Sequence, residues 1–186
     1  MRSVVVTGAS TGIGYASCKV LLERGFRVFG SLRRQEDADR VAAELGNSFV
    51  PLLFDVTDED GIARCAAEVQ DALNGRTLAG LVNNAGIAVS GPLLAMPQED
   101  FRHQMEVNVM GPFMVTQAFG PLLGIDETLS GDPGRIVNIS SVAGVRAMPF
   151  LGPYATSKFG LEGYSEALRR EMMLFGIDVI VIGPGP

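Results

Sequence analysis

The sequence lacks the features that would indicate a membrane span, a nucleic-acid surface or a disulfide framework. No apolar run approaches the roughly 18 residues that a membrane-spanning helix needs. Fifteen basic residues against 21 acidic ones give a net charge of −6, which argues against a nucleic acid or an anionic membrane surface as the main partner. The two cysteines, Cys18 and Cys65, match no metal-ligand spacing. We therefore expect reduced thiols, no bound metal and a cytoplasmic location.

The chain does contain enough apolar residues for a full core, arranged in a regular alternation. Its 186 residues, 47% of them hydrophobic, are about the length of one domain. Short continuous Val/Ile/Leu segments alternate with amphipathic ones, which is typical of a parallel sheet covered by helices on both faces. We predict a single doubly wound α/β domain of three layers (αβα) over residues 1–186. The predicted strands are residues 3–7, 27–32, 48–54, 80–83, 135–140 and 178–182.

Between these strands the apolar residues recur at helical spacing. Thr57 and Asp60 form a short capping signal ahead of the third predicted helix. Pro97 opens a long predicted helix that runs to about Leu123. The last helix is predicted from about residue 153 to 175.

The loop after the first predicted strand has the residue types of a phosphate-binding turn. Residues 7–14 read TGASTGIG and stand between a strand and an amphipathic helix. Glycines let the backbone turn sharply and approach a pyrophosphate, which binds at the helix N-terminus. The glycine spacing by itself is weak evidence, and a tight turn without a ligand is the alternative. We assign to cofactor binding Gly8, Ser10, Thr11, Gly12, Ile13 and Gly14.

The end of the second predicted strand indicates which dinucleotide is bound. An acidic residue at this place bonds to the ribose 2′-hydroxyl, whereas an arginine accommodates a 2′-phosphate. The strand ends in Leu32, Arg33 and Arg34, with no acidic residue before Glu36. We therefore expect NADP(H) in preference to NAD(H), held by Arg33 and Arg34. The alternative is that both arginines are solvated surface charges.

Two tyrosine–lysine pairs share a spacing of four residues, which places both members on one face of a helix. A nearby ammonium favours the phenolate form of a tyrosine and makes it a general acid or base. Tyr15 and Lys19 follow the glycine loop and are interpreted as a helix-surface pair. Tyr154 and Lys158 instead follow a Pro/Gly-rich loop and a strand with Ser141 at its carboxyl end, where ligands bind in such sheets. The alternative for this second pair is also a plain helical pair.

Taken together, these motifs resemble the short-chain dehydrogenase/reductase family, in its single-domain subtype. The glycine loop is similar to the family's TGxxxGxG motif, and Ser141, Tyr154 and Lys158 match its Ser-x12-Tyr-x3-Lys set. Residues 83–86 (NNAG) match a further motif, and Asn108 falls where the family keeps an asparagine. The resemblance implies a Rossmann-like fold. It also implies cofactor contacts from Asp55, Val56, Asn84, Ala85, Gly86, Tyr154, Lys158, Pro184 and Gly185.

The same resemblance implies an NADP(H)-dependent oxidoreductase that interconverts an alcohol and a ketone or aldehyde. Tyr154 would act as acid or base on the substrate oxygen, and Ser141 would orient and polarise the carbonyl. Lys158 would support the tyrosine and bind the ribose hydroxyls, while Asn108 would hold, through its backbone, a water that connects Lys158 to solvent. The alternative from another class is a non-catalytic NAD(P)-binding sensor or scaffold of the same fold, although a sensor has no need of a tuned phenol.

Several residues near the predicted site receive a more modest interpretation. Ser140 does not have the family spacing to Tyr154 and is interpreted as structural, and His103 is interpreted as a surface residue. The segment between Ser141 and Tyr154 is apolar and indicates a hydrophobic alcohol or ketone as substrate. Its apolar members are Val142, Val145, Met148, Pro149 and Phe150.

The resemblance also implies a partner and a greater length. Family members assemble as a homodimer or homotetramer, through the helices around residues 101–123 and 153–175. They run to about 250 residues and carry, after the Pro-Gly turn, a substrate-binding loop, a helix and a last strand. We therefore expect this chain to be the cofactor-binding and catalytic portion of a longer enzyme.

Overall fold

Six strands form one parallel sheet in the order β3-β2-β1-β4-β5-β6 in the computed structural model, which describes residues 1–185. The chain runs outward from β1 to β3 and then returns to run outward from β4 to β6, so the order reverses between β1 and β4. The predicted doubly wound sheet is confirmed, and Pro186, the last residue of the predicted domain, lies outside the described residues. The strands are β1 (Ser3–Val6), β2 (Arg27–Leu32), β3 (Phe49–Leu53), β4 (Gly80–Asn83), β5 (Arg135–Ile139) and β6 (Asp178–Ile182).

Both faces of the sheet are buried at β1 and β2, as continuous apolar strands predict, whereas the edge strand β6 exposes Ile180 and Ile182 on one face. All four residues of β1 are buried, and alternate ones enter different apolar clusters. Val5 packs into one cluster, and Val4 and Val6 into the other. The first two helices cover the second cluster, and the later helices cover the first, which gives the three layers. The helices are α1 (Gly12–Glu23), α2 (Gln35–Leu45), α3 (Glu59–Leu73), α4 (Gln98–Met105), α5 (Gly111–Phe119) and α6 (Gly152–Met172).

The N-terminus of α3 differs from the predicted capping pattern. Asp58 is the N-cap residue, and its carboxylate accepts a hydrogen bond from the Gly61 N–H at 3.1 Å. Thr57 is engaged elsewhere, because its N–H and hydroxyl both donate to Asp55 Oδ1, at 3.0 and 2.9 Å. A side chain bound to the preceding turn is not free to cap the helix that follows.

The long helix predicted over residues 97–123 is divided into pieces that share one path. A π-helical turn over Glu106–Met110 joins α4 to α5, and a 3₁₀ turn over Gly120–Leu123 follows α5. Pro112 and Pro121 stand in the first turns of α5 and of the 3₁₀ segment, where proline's missing N–H is tolerated. Apolar periodicity predicted the helical path but not the change of winding at its middle.

Candidate active site

Two adjoining cavities lie at the carboxyl ends of the strands, on either side of the point between β1 and β4 where the strand order reverses. The β2–β3 cavity, of about 350 Å³, is bordered by residues that follow β1, β2 and β3. The β5–β6 cavity, of about 540 Å³, is bordered by residues that follow β5 and β6 and by the start of α6. Four residues line both, so the cavities form one continuous cleft: Ile13, Asn84, Gly86 and Ile87.

The glycine loop between β1 and α1 requires glycine at defined positions. Gly8 and Gly12 have φ of +68° and +59°, in the left-handed region that glycine tolerates best. A Cβ on Gly8 would lie 2.9 Å from Ala85 Cα, and one on Gly14 would overlap the Gly8 carbonyl and the Asn84 amide. The loop therefore packs directly on the segment after β4, and larger residues would force the two apart.

This loop also meets the requirements of a pyrophosphate site. Thr11, the N-cap residue of α1, makes no side-chain capping hydrogen bond, and the first turn of the helix contains no acidic residue. The positive end of the helix dipole is thus available to an anion. Of the predicted loop residues, Gly12 and Gly14 supply conformation and close packing. The remaining four line the β2–β3 cavity: Gly8, Ser10, Thr11 and Ile13.

Asn84, in the NNAG segment after β4, lines the cleft and also forms hydrogen bonds with the glycine loop. Its side-chain amide donates to the carbonyls of Thr7 and Gly8, at 2.8 and 3.2 Å. In return the Thr7 hydroxyl accepts from the backbone N–H groups of Asn84 and Ala85, at 2.9 and 3.0 Å. The motif therefore sets the position of the cofactor loop through hydrogen bonds that spacing alone does not predict.

The structure separates the two arginines that were predicted to hold a 2′-phosphate. Arg33 lines the β2–β3 cavity, with its guanidinium 3.8 Å from Asp55 Oδ2 and 76% of its side chain exposed. Arg34 turns away and pairs with Asp37 at 2.8 Å, outside the lining of that cavity. The guanidinium groups of Arg34 and Arg40 hold the pKa of the Asp37 carboxyl below its usual range. Arg33 is therefore the arginine of this pair that an adenosine ribose in the cavity would meet.

Two contacts of α2 with neighbouring elements were missed by the sequence analysis. Arg40 donates from Nη2 to the Ser10 carbonyl at 3.0 Å, which ties α2 to the glycine loop. Tyr15 donates its hydroxyl to Glu44 Oε2 at 2.8 Å, and this hydrogen bond raises the pKa of the tyrosine. The only available signal was the i,i+4 spacing of Arg40 and Glu44, which predicts a helix-surface ion pair and nothing beyond it.

Ser141, Tyr154 and Lys158 are brought together in the lining of the β5–β6 cavity. Lys158 is only 5% exposed, and its Nζ donates to the Ile139 carbonyl at the end of β5, at 2.7 Å. Burial lowers the pKa of Lys158 to about 8, and the nearby Glu162 carboxylate opposes that shift. The ammonium lies 5.7 Å from the centre of the Tyr154 ring. A lysine with a reduced pKa and a tyrosine thus face the same cavity.

The two serines at the end of β5 have different surroundings. Ser141 caps the 3₁₀ turn Val142–Gly144, and its Oγ accepts from the Ala143 N–H at 3.1 Å. Because that bond uses a lone pair, the hydroxyl proton remains available to a ligand in the cavity. Ser140 is 3% exposed, and its Oγ has no hydrogen-bond partner among residues 1–185.

Asn108 lies in the π-helical turn, and its side chain connects three parts of the site. Its Nδ2 donates to the Ile87 carbonyl and to Ser157 Oγ, both at 3.0 Å, and its Oδ1 accepts from the Ile87 N–H at 2.9 Å. Ser157 donates in turn to the Tyr154 carbonyl at 2.7 Å. The side chain therefore holds the cleft wall at Ile87 and the first turns of α6 in register. The predicted backbone role of Asn108 in water binding stays a prediction.

The remaining predicted residues divide between the two cavities. Asp55 and Val56 line the β2–β3 cavity, as do Ala85 and Gly86. Pro184 and Gly185 line the β5–β6 cavity. His103 is exposed on α4, as expected, but it also lines the β2–β3 cavity, which the sequence analysis missed. Its helical position one turn before Val107, another lining residue, was the available signal.

Comparison with known proteins identifies the family of the chain. The sequence profile described as "short chain dehydrogenase" matches residues 2–186. The chain belongs to the short-chain dehydrogenase family. An NADPH-dependent 3-dehydrocapnine reductase of Ornithobacterium rhinotracheale is 43% identical over 186 residues, which are 100% of this chain and 65% of that protein. Mouse retinol dehydrogenase 16 is 37% identical over 185 residues, 99% of this chain and 56% of the relative.

Solved structures of short-chain dehydrogenases share the fold. A short-chain dehydrogenase from Streptomyces avermitilis superimposes with a TM-score of 0.90 at 34% identity, over 100% of this chain and 65% of that one. The chain thus spans less than two thirds of the length of these relatives. Within residues 1–185, no helix combines the length and apolarity needed to cross a membrane. The cytoplasmic location stays a prediction.

Proposed function

We propose that this short-chain dehydrogenase is an NADP(H)-dependent oxidoreductase that interconverts an alcohol and a ketone or aldehyde. The observation that carries the proposal is the meeting of Ser141, Tyr154 and Lys158 in a cavity that opens into the cleft beside the glycine loop. The 43% identity to a relative named as an NADPH-dependent reductase supports the same reaction class. The glycine-lined cradle and the uncapped N-terminus of α1 fit a dinucleotide.

The proton of the reaction is assigned to Tyr154. Bound NADP(H) supplies or accepts the hydride. In the reducing direction the Tyr154 hydroxyl gives its proton to the substrate oxygen, and in the oxidising direction the phenolate takes it back. The Lys158 ammonium, 5.7 Å from the ring centre, stabilises the phenolate by its charge. Its hydrogen bond to the Ile139 carbonyl fixes the ammonium while two further protons remain available to ribose hydroxyls.

Ser141 and Asn108 are assigned supporting roles. Ser141 donates its free hydroxyl proton to the substrate oxygen and thereby polarises the carbonyl. Asn108 acts as a positioning residue, because its bond to Ser157 lies one step from the Tyr154 backbone. We also assign to its backbone the water that would connect Lys158 to solvent.

The preference for NADP(H) over NAD(H) rests on Arg33. Its guanidinium lines the β2–β3 cavity, and the nearest acid, Asp55, lies at the long distance of 3.8 Å. A planar guanidinium binds a phosphate by two parallel hydrogen bonds, which a ribose hydroxyl does not match.

The test of the reaction is NADPH oxidation measured across a panel of ketones and aldehydes, with Tyr154→Phe as the control. We expect turnover by the wild type and loss of turnover in the variant, with NADPH affinity retained in both. If both proteins bind NADPH and neither turns over any carbonyl, the chain is a nucleotide-binding sensor or scaffold and the proposal is overturned.

We also propose self-association through the helices that precede and contain the tyrosine and lysine. Three apolar side chains of this region are well exposed, at 40% for Met110, 37% for Phe113 and 47% for Phe159. Contact between two copies of the chain would bury these exposed apolar side chains, and that burial favours association. Light scattering of the wild type and of Phe159→Lys distinguishes a homodimer or homotetramer from a monomer.

A further inference from the structure

The β5–β6 cavity contains a cationic group that the proposed reaction does not use. Among the described residues that line it, Lys158 and Arg146 are cations, and none is an aspartate or glutamate. Lys158 is bound to the Ile139 carbonyl. The guanidinium of Arg146 makes no hydrogen bond or ion pair with the part of the chain that the structure describes.

Arg146 is exposed, and its place in the β5–β6 cavity, rather than the lack of a partner, sets it apart from other arginines of the chain. Within residues 1–185, other arginines also make no side-chain hydrogen bond or ion pair, among them Arg24, Arg76, Arg102 and Arg169. Five arginines lie within 4.0 Å of a carboxylate, which is unsurprising in a chain with 21 acidic residues against 15 basic ones. Arg146 instead stands at the cleft that holds Ser141 and Tyr154. The charge of the site is therefore positive inside a protein of net charge −6. The ion-paired arginines are Arg33, Arg34, Arg40, Arg135 and Arg170.

The anion that Arg146 would meet is not the cofactor pyrophosphate. Gly8, Ser10 and Thr11, the loop residues assigned to the pyrophosphate, line the β2–β3 cavity and not the β5–β6 cavity. Arg146 lines only the latter. Of the two ligands of the proposed reaction, the substrate is the one whose anionic group would meet Arg146.

The cavity that Arg146 lines has an apolar part. Val142, Met148 and Leu151 line the same cavity, and Val142 and Met148 are 44% and 55% exposed. A second loop borders this segment, because the Gly91 N–H donates to the Phe150 carbonyl at 2.8 Å. The cleft thus offers hydrocarbon contact on its wall and one guanidinium beside it.

We propose that Arg146 binds an anionic group, a carboxylate, sulfonate or phosphate, on an aliphatic ketone or alcohol whose hydrocarbon part packs against Val142 and Met148. This inference rests on the proposed function, since it takes the β5–β6 cavity as the substrate site. A guanidinium donates two parallel hydrogen bonds to such a group and fixes its orientation. The substrate class is therefore an anionic amphiphile rather than a neutral apolar alcohol.

The test compares two ligands of equal chain length that the proposed reaction does not consume, octanoate and neutral octanamide, on the protein saturated with NADP⁺. We expect calorimetry to show wild-type affinity for octanoate about tenfold or more above that for octanamide. Arg146→Met should remove that preference, Arg146→Lys should restore part of it, and Arg169→Met, at an exposed arginine of α6, should leave it unchanged. Equal affinities in the wild type, no binding of octanoate, or an unchanged preference in Arg146→Met would each overturn the inference.

Two further readouts separate this inference from the reaction itself. NADP⁺ affinity should be the same in Arg146→Met as in the wild type, and a loss there would assign Arg146 to the cofactor and overturn the inference. Reduction of neutral octan-2-one should survive in Arg146→Met and disappear in Tyr154→Phe. If octan-2-one is reduced normally but octanoate shows no preference, the inference alone fails. If no carbonyl is reduced but the octanoate preference depends on Arg146, the anion site stands and the proposed reaction fails.

Discussion

The two tyrosine–lysine pairs have the same spacing and opposite surroundings. Tyr15 lies on α1, and its hydroxyl donates a hydrogen bond to Glu44 Oε2 at 2.8 Å. Lys19 is exposed to solvent. Lys158 is 5% exposed and bound to the end of β5, with its ammonium 5.7 Å from the Tyr154 ring centre. The hydrogen bond to Glu44 raises the pKa of Tyr15, whereas burial lowers the pKa of Lys158 to about 8. Spacing therefore places the groups, and burial and neighbours decide what they can do.

The largest expected difference between the pairs is at the tyrosines. Tyr154→Phe should lower kcat for carbonyl reduction by about 10²–10⁴-fold, because it removes the group that we propose as the general acid. Tyr15→Phe removes one exposed hydrogen bond and should leave kcat within about twofold. Steady-state kinetics with NADPH and the best carbonyl of the panel measure both. A similar loss of kcat in both variants would contradict the different roles of the two tyrosines.

The lysines should differ by a somewhat smaller factor. Lys158→Met should lower kcat/KM by about 10²-fold, because the phenolate loses its neighbouring charge and the ribose loses a donor. Lys19→Met, the matched control, removes a solvated charge from α1 and should change neither kcat/KM nor NADPH affinity. Thermal unfolding of Lys158→Met shows whether the fold is retained. Full activity of a folded Lys158→Met variant contradicts the assignment.

The pH dependence of the reaction sharpens the contrast. Lys158 carries its charge below its pKa of about 8 and loses it above that pH. We expect kcat/KM to fall about tenfold per pH unit on the alkaline side of this value. Glu162→Gln removes the carboxylate that raises this pKa, so the fall should begin at lower pH. A profile that stays flat through this range, or a shift to higher pH in Glu162→Gln, is inconsistent with the assigned role.

The smallest expected effect is on cofactor affinity and concerns two neighbouring arginines with different partners, Arg33 and Arg34. Arg33→Ala should weaken NADPH binding by about tenfold and leave NADH binding nearly unchanged. Arg34→Ala removes an exposed pair with Asp37 and should alter neither affinity. Dissociation constants from fluorescence titration check this. Equal affinity of the wild type for the two cofactors would remove the basis of the prediction.

Most of the architecture could be predicted because parallel strands and covering helices have strong local patterns. The six predicted strands correspond to β1–β6 within two residues at each end, since buried parallel strands are continuous apolar runs. The capping pattern before α3 was wrong by one residue, because Thr57 is held by Asp55. The path of residues 97–123 was predicted as helical, but apolar periodicity does not show the π-helical turn over Glu106–Met110.

The parts of the candidate site that could be predicted are those that residue type and order along the chain are enough to place. Ser141, Tyr154 and Lys158 share one cavity because strand ends and the following helix meet at a single sheet edge. The partner of Arg34, the buried hydroxyl of Ser140 and the bond between Asn108 and Ser157 could not be predicted. The surroundings of Ser140 and Asn108 depend on packing between distant parts of the chain. The partner of Arg34 is only three residues away, but the sequence offers several acidic residues on α2 and does not say which one the exposed guanidinium meets.

The π-helical turn over Glu106–Met110 has a consequence for the helices that it joins. Such a turn contains one residue more than an α-helical turn, and one residue corresponds to about 100° of rotation about the helix axis. The residues of α5 that enter the core, Val115 and Phe119, are therefore offset by that angle from the face of α4. Deleting a single residue from the turn would restore α-helical winding and rotate one helix against the other. Asn108 and the core face of α5 could then not both keep their present partners.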